Sequence, residues 1–185
     1  GEQALVDYYR AIGDACGLPL MLQDTSSIGV NQMSVALIER IASEVPSLLY
    51  AKIETVPAGP RITALKRRTA LELFSGNGAL LMLDALERGV VGVMPGADLV
   101  GRFVRIWDHY KEGRTEEATA LHCAILPLLA LECQTSEAFV AIVKQVLYLQ
   151  GVIASPLVRP PAAYQVDEIA ARQVAAAIAQ LEQLP

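Results

Sequence analysis

The sequence predicts an α/β fold for its first half and an all-helical second half. Before about residue 96, short apolar runs alternate four times with amphipathic segments of helical length. The connections between these runs are too long for hairpins, which indicates parallel strands joined by helical crossovers. After residue 96 only helical periodicity remains. We therefore expect a strand-containing part at 1–96 and a helical part at 97–185.

Each predicted strand is flanked by predicted helices. The segment EQALVDYYRAIGDAC has helical spacing of its apolar residues and is followed by Gly17, a frequent helix terminator. The helix MSVALIERIASEV takes Ser34 as its N-cap. The helix RITALKRRT follows the predicted turn VPAGP, and the helix ALLMLDALERG follows the predicted turn GNG. The strands between these helices are LPLML, SLLYAKIE, LELFS and VVGVM.

The second half contains four predicted helices. The last of them is rich in alanine, the strongest helix former, and follows the proline-rich connection SPLVRPP. The four helices cover approximately residues 97–112, 115–132, 135–149 and 166–183.

Composition and charge exclude several classes of protein. The 185 residues are 53% hydrophobic and 19% charged, which suffices for a globular core. No apolar run reaches the roughly 18 residues of a membrane span, and no signal-peptide pattern opens the chain, so we expect a cytoplasmic protein without a membrane partner. A net charge of −5 and the lack of a long basic run argue against a nucleic-acid partner.

Residues that bind metals are few and widely spaced. Cys16, Cys123 and Cys133 are accompanied by only two histidines, which argues against a zinc site and against a disulfide framework. We therefore expect reduced thiols within the core and no metal centre.

A lysine interrupts the apolar strand SLLYAKIE. Because alternate side chains of a strand share a face, Lys52 and Glu54 should lie on one face with Leu48 and Tyr50. Parallel strands of α/β folds assemble their sites at the carboxyl ends, and desolvation there favours a neutral amine, which attacks ketones. The alternative is that Lys52 extends to solvent or only pairs with Glu54. The opposite face should pack under helices and consists of Leu49, Ala51, Ile53 and Thr55.

The order of several segments resembles a known family. YYRAIGDACGLPLMLQDTSSIGV, AKIET, LFSGNGALLMLDALERGVVGVMPG and GRTEEATALHCAILPLL are similar to the C-terminal half of the dihydrodipicolinate synthase and N-acetylneuraminate lyase family. Its members are TIM (β/α)8 barrels with extra C-terminal helices. The resemblance implies that 1–96 holds strands five to eight, a half barrel of four parallel strands, and that 97–185 holds the last barrel helix and a helical extension.

The resemblance also implies a partner and an assembly. Four strands cannot close an eight-stranded barrel and would leave two open edges, so we expect the missing N-terminal half barrel in the same polypeptide or in a second chain. Whole family members are homotetramers built as dimers of dimers. Apolar runs such as AILPLLALE and FVAIVKQVLYL also predict association.

The resemblance implies a Schiff base between Lys52 and a pyruvate-like 2-keto acid, without a metal or organic cofactor. Glu54 would orient the lysine or act as acid or base, or it would only satisfy the ammonium group. The residues expected around the substrate are Gln23, Asp24, Thr25, Ser75, Gly76, Asn77 and Met94. Loop capping is the alternative for Asp24 and Thr25, and core packing is the alternative for Met94.

One position departs from the family pattern. The family places a proton-relaying tyrosine on the fifth strand, and Leu22 is predicted to occupy that position. This departure favours the 2-keto-3-deoxy sugar acid dehydratases and aldolases, and QDT together with KIE resembles the pentonate dehydratases. Two alternatives stay open: a 4-hydroxy-tetrahydrodipicolinate synthase, and a non-catalytic half barrel or degenerate paralogue with a role in assembly or ligand binding.

Overall fold

A computed structural model of the chain describes residues 1–25 and 32–183, which form two compact units, Gly1–Met94 and Pro95–Pro185. The first unit alternates helices with strands, as the sequence predicts. In order, it contains α1 (Glu2–Cys16), β1 (Leu20–Asp24), α2 (Val35–Glu44), β2 (Leu48–Ile53), α3 (Ala58–Arg68), β3 (Glu72–Ser75), a 3-10 turn (Asn77–Ala79), α4 (Met82–Glu87) and β4 (Gly92–Val93).

The four strands form one parallel sheet in the order β1-β2-β3-β4. Residues paired in register point to the same side of a parallel sheet, so the row Gln23, Lys52 and Phe74 shares a face. This face, which we call the inner face, also carries Met21 and Tyr50. The predicted parallel α/β arrangement is confirmed.

The opposite, outer face of the sheet forms the core of the first unit. Leu22, Ala51, Ile53 and Leu73 are completely buried there, and α3 packs on β2 and β3. The large apolar residues that α2 and α3 bury are Leu37, Ile38, Ile41, Ile62 and Leu65.

The start of β2 differs from strict alternation. Leu48 is buried and Leu49 is 44% exposed, the reverse of the predicted faces. The register explains the reversal: Leu20 pairs with Leu48 and Met21 pairs with Tyr50, so Leu49 is an extra residue in the ladder. A bulge of this kind shifts the side chains before it to the other face, and alternation holds from Tyr50 onwards.

Helix boundaries confirm two predictions and correct a third. Ser34 caps α2 by accepting a hydrogen bond from the Leu37 N–H at 3.0 Å, and Gly17 ends α1 with φ of 61°. The predicted turn VPAGP is wrong over its last three residues because α3 begins at Ala58. Pro60 lies in the first turn, where a missing N–H leaves no intrahelical bond unmade.

The second unit is helical, as predicted. Thr135 caps α7 and Asp167 caps α8 through their side chains, and no helix in 1–25 or 32–183 is long and apolar enough to cross a membrane. The helices are α5 (Val100–Lys111), α6 (Thr115–Glu132), α7 (Ser136–Leu149) and α8 (Glu168–Glu182).

The cysteines are not where the sequence analysis expected them. Cys16 and Cys123 are exposed and Cys133 is half-buried, so the prediction of core thiols is wrong for the first two. Both lie on helices, at positions outside the buried stripe: α1 buries Val6 and Gly13, and α6 buries residues such as His122.

Candidate active site at the carboxyl end of the sheet

Lys52 and Glu54 lie together at the carboxyl end of β2. The Lys52 Nζ is 2.9 Å from Glu54 Oε1, and the two side chains are 20% and 13% exposed. Lys52 belongs to the inner face because it pairs with Gln23 on one side and Phe74 on the other. The sequence therefore placed this pair correctly on one face near a strand end.

Residues from two neighbouring strands surround the Glu54 carboxylate. Gln23, at the end of β1, donates from Nε2 to Glu54 Oε2 at 2.6 Å. Asn77, in the turn after β3, donates its backbone N–H to Glu54 Oε1 at 3.4 Å and its side-chain Nδ2 to the Glu54 carbonyl at 2.7 Å. Three elements thus converge on one carboxylate.

The surroundings of Glu54 keep its carboxylate charged. Burial raises the pKa of Glu54, but the hydrogen bonds from Lys52 and Gln23 and the charge of Lys52 outweigh that effect. The net result is a pKa below the usual value of 4.5. At neutral pH Glu54 is therefore an ionised carboxylate, and its 2.9 Å contact with the Lys52 Nζ is short enough for direct proton transfer between the two groups.

Two residues predicted to bind substrate lie on the outer face instead. Asp24 is 1% exposed and forms an ion pair with Arg61 of α3, which also donates to the Met33 carbonyl. Ser75 is 5% exposed and pairs in register with Ile53. The prediction that these two side chains contact substrate does not fit their positions. Arg61 was not foreseen, because the residue that needs a cation lies 37 positions away along the chain.

The structure also corrects the prediction for Leu22. Its side chain is completely buried on the outer face, so it does not occupy a position facing Lys52. Strand β1 continues two residues beyond the predicted LPLML, and Gln23 pairs in register with Lys52. The polar group that approaches the lysine site from this strand is therefore an amide, which cannot act as an acid or base.

The turn after β3 contains Gly76, for which we expected close approach of a ligand to the backbone. The space beside its Cα is instead filled by Glu54: a Cβ added there would lie 2.3 Å from Glu54 Cγ and Oε1. Thr25 is half-buried directly after β1, and Met94 donates its N–H to the Ser75 carbonyl at 2.9 Å. Residues 26–29 of the predicted QDTSSIG loop lie outside the described residues.

Two aromatic side chains lie on the inner face beside Lys52. Tyr50 and Phe74 contact edge to face, with ring centroids 6.1 Å apart. Gly92 of β4 gives the Phe74 ring its space, because a Cβ at Gly92 would lie 2.5 Å from Phe74 Cε1. The alternation of YAK in β2 predicts that Tyr50 shares a face with Lys52. The position of Phe74 beside Lys52 depends on the register between strands, which the sequence does not give.

The second unit contains a different acidic pair. Glu132, at the end of α6, is 1% exposed and Asp98 is 7% exposed, and the two carboxyl groups share a hydrogen bond. Burial, the charge of Asp98 and this hydrogen bond raise the pKa of Glu132 to about 9. Glu132 follows Ile125, Leu128 and Leu129 on the buried stripe of α6. Its charged side chain at a core position of the helix is the feature of the sequence from which a buried acid could have been predicted.

Comparisons with known proteins give a consistent result. The model of the Dihydrodipicolinate synthetase family matches residues 2–181. L-2-keto-3-deoxyarabonate dehydratase of Azospirillum brasilense is 32% identical over 163 residues, which cover 86% of this chain and 52% of that protein. 4-Hydroxy-tetrahydrodipicolinate synthase of Desulforamulus reducens is 28% identical over 133 residues, covering 69% of this chain and 44% of that protein.

A solved structure extends the similarity to the fold. Dihydrodipicolinate synthase from Rhodopseudomonas palustris has a TM-score of 0.87 and 26% identity, covering 97% of this chain and 62% of that chain. The four-stranded sheet with its helices corresponds to part of a TIM barrel, followed by C-terminal helices, which confirms the predicted fold class. The chain spans about half the length of the curated relatives it matches.

Proposed function

Because this chain belongs to the Dihydrodipicolinate synthetase family, as its sequence resemblance predicted, we propose that Lys52 forms a Schiff base with a pyruvate-like 2-keto acid. The observation that carries the proposal is the contact between the Lys52 amine and the Glu54 carboxylate at the carboxyl end of a parallel strand. Of the four lysines in the chain, only Lys52 lies in a strand; Lys66, Lys111 and Lys144 lie in helices.

The proposed reaction begins with proton transfer from the Lys52 ammonium to Glu54. The neutral Nζ attacks the C2 carbonyl carbon to give a carbinolamine. Glu54 returns the proton to the hydroxyl group of the carbinolamine, which leaves as water, so that an iminium forms and Glu54 is ionised again. The iminium withdraws electrons from C3, so a C3 proton can leave to a base and an enamine forms. Glu54 is placed to accept that proton because its carboxylate is ionised at neutral pH.

For a 2-keto-3-deoxy sugar acid, the enamine would expel the C4 hydroxyl group. Glu54 would return its proton to this leaving oxygen, so water departs and the enzyme regains its carboxylate. Hydrolysis of the remaining iminium would release the amine of Lys52. Gln23 can hold a substrate oxygen through its amide but cannot move a proton.

We favour a dehydratase over a 4-hydroxy-tetrahydrodipicolinate synthase. The supporting observation is that β1 presents Gln23, not a hydroxyl side chain, to the lysine site. The relative named L-2-keto-3-deoxyarabonate dehydratase is also the more similar of the two curated relatives compared above. An aldolase would use the same iminium, but a base would take the proton of the C4 hydroxyl group and the C3–C4 bond would break, which leaves the enamine of pyruvate and an aldehyde.

We further propose that the site works within a complete barrel in the cytoplasm. In the described sheet, β1 and β4 each pair with one neighbour, so both edges are available to further strands. A half barrel of other strands, in the same polypeptide or a second chain, would enclose the inner face around Lys52. If complete barrels associate into a tetramer, their contacts would cover apolar side chains that are exposed in this chain.

The test is a product assay on the full-length protein with a panel of 2-keto-3-deoxy acids. A dehydratase should yield a product such as α-ketoglutarate semialdehyde from a pentonate, and an aldolase should yield pyruvate. Lys52→Arg keeps the charge but should abolish either product. Lys66→Arg, on the exposed end of α3, is the control and should retain activity. Full activity of Lys52→Arg would contradict the role of Lys52 as the nucleophile, whereas no turnover of any acid by the parent protein would support a non-catalytic barrel.

A further inference from the structure

The side chain of Glu54 explains why residue 76 is a glycine. The backbone at Gly76 has φ of −103°, outside the left-handed region that most favours glycine. A Cβ at this position, however, would lie 2.3 Å from Glu54 Cγ and Oε1 and 2.6 Å from Cδ. Glu54 therefore occupies the space that any other residue at position 76 would fill.

Asn77, the next residue, contacts both the side chain and the main chain of Glu54. Asn77 donates its backbone N–H towards the carboxylate and its side-chain Nδ2 to the carbonyl of Glu54, at 3.4 and 2.7 Å. To do so, Asn77 adopts φ of 51°, which asparagine tolerates better than most residues. A backbone hydrogen bond also connects this turn to the end of β2, because the Gly76 N–H donates to the Ile53 carbonyl at 3.1 Å.

We propose that Gly76 and Asn77 form a clamp that positions Glu54 against Lys52, and that they do not themselves bind the substrate. Gly76 leaves the space for the carboxylate, and Asn77 fixes the main chain from which the side chain extends. They are positioning residues, whose effect on the reaction passes through Glu54. The catalytic meaning of the clamp rests on the proposed function, whereas its geometry does not.

Two substitutions disturb the clamp in different ways. Gly76→Ala inserts a methyl group where the Glu54 carboxylate lies, so the carboxylate must move away from Lys52. Asn77→Ala keeps the space but removes the donor to the Glu54 carbonyl. Alanine also tolerates the φ of 51° less well than asparagine, so the backbone N–H at position 77 should shift away from the Glu54 carboxylate. Because the ionised carboxylate loses a stabilising contact in either variant, the pKa of Glu54 should rise. Gly101→Ala is the matched control, because a Cβ there meets nothing within 4 Å.

The first readout is independent of activity. We would titrate the glutamate side-chain carboxyl carbons by NMR in the full-length protein and assign Glu54 by its loss in Glu54→Gln. The clamp predicts a pKa of Glu54 below 4.5 in the parent and in Gly101→Ala, and a higher value in both clamp variants. An unchanged pKa in Gly76→Ala and Asn77→Ala would overturn the proposal. If Gly76→Ala does not fold, Asn77→Ala decides alone.

The second readout is a double-mutant cycle on turnover. Gly76→Ala should lower kcat by about tenfold or more while leaving KM within about threefold, since the substrate contacts remain. In a Glu54→Gln background, Gly76→Ala should lower kcat little further, because both substitutions remove the same function, that of the Glu54 carboxylate. A raised KM with kcat unchanged, or full additivity, would show that the turn binds substrate and would overturn the clamp. A parent without turnover would refute the proposed function, and the NMR titration would still decide on the clamp.

Discussion

Two glutamates, one in each unit, have pKa values that are shifted in opposite directions. In the sheet unit, Glu54 contacts Lys52 and its pKa is lowered. In the helical unit, Glu132 contacts Asp98 and its pKa is raised to about 9. Burial raises the pKa of both glutamates, so burial alone does not decide the charge of either.

The difference lies in the hydrogen-bond donors. Glu54 receives hydrogen bonds from an ammonium group, an amide and a backbone N–H. The charged neighbour that affects the pKa of Glu132 is another acid, and Glu132 Oε1 has no hydrogen-bond partner among residues 1–25 and 32–183. The first arrangement preserves an ionised base for chemistry, and the second keeps a proton inside a helical core.

The largest expected effect comes from neutralising Glu54. Glu54→Gln keeps the shape of the side chain but removes its charge, so it cannot accept the Lys52 proton. We expect kcat to fall by about 10²- to 10⁴-fold, the usual contribution of a general acid or base. The limb of the pH–rate profile that reports the carboxylate should also disappear, as measured in steady-state assays of the full-length protein.

The matched control is Glu87→Gln, which changes an exposed residue of α4 in the same unit. It should leave kcat and the pH–rate profile unchanged. Equal activity of Glu54→Gln and Glu87→Gln would show that Glu54 only satisfies the charge of Lys52.

A stability effect of intermediate size is expected in the helical unit. Between about pH 4.5 and 9 the native state keeps a proton on Glu132 that the unfolded chain has released. The unfolded state thus binds fewer protons, and the free energy of unfolding falls as pH rises through this window. Glu132→Gln removes this penalty and should stabilise the unit by about 1–3 kcal/mol at pH 8, measured by denaturant unfolding followed by circular dichroism.

The gain should vanish at pH 4, where glutamate is protonated in both states. Glu137→Gln, at an exposed position at the start of α7, is the control and should change stability by only a few tenths of a kcal/mol at either pH. Destabilisation by Glu132→Gln at pH 8 would mean that Glu132 is ionised and held by a cation.

The smallest effect concerns the thiol next to the acidic pair. Burial raises the pKa of Cys133 to about 11, with further contributions from the charges of Glu132 and Asp98. Because the thiolate is the reactive form, alkylation by iodoacetamide at pH 8 should be slower at Cys133 than at the exposed Cys16 and Cys123. Peptide mapping over time measures the three rates, and equal rates would contradict the raised pKa.

Periodicity in the sequence predicted the elements but not the contacts between them. It placed Lys52 and Glu54 on one face, and it found the Ser34 cap, because these depend on neighbours within a few residues. The family resemblance failed at Leu22. Strand β1 continues to Asp24, so Gln23 and not Leu22 is in register with Lys52, and a difference of one residue moves a side chain to the opposite face.

Contacts between distant segments were beyond sequence reasoning. Asp24 meets Arg61 across 37 positions, and Glu54 fills the space at Gly76 across a strand connection. A glycine after a strand fits either an approaching ligand or an approaching side chain, and only the register of β2 against β3 distinguishes them. The acidic pair likewise joins a loop to the end of α6, 34 residues later.

The most direct test of the central claim is to locate the covalent bond. The full-length protein would be incubated with pyruvate and sodium borohydride, digested, and sequenced by tandem mass spectrometry. We predict one reduced adduct on the peptide that contains Lys52, and none on the peptides that contain Lys66, Lys111 or Lys144. No adduct at Lys52 at any substrate concentration, or an adduct only at another lysine, would contradict the assignment of Lys52 as the nucleophile.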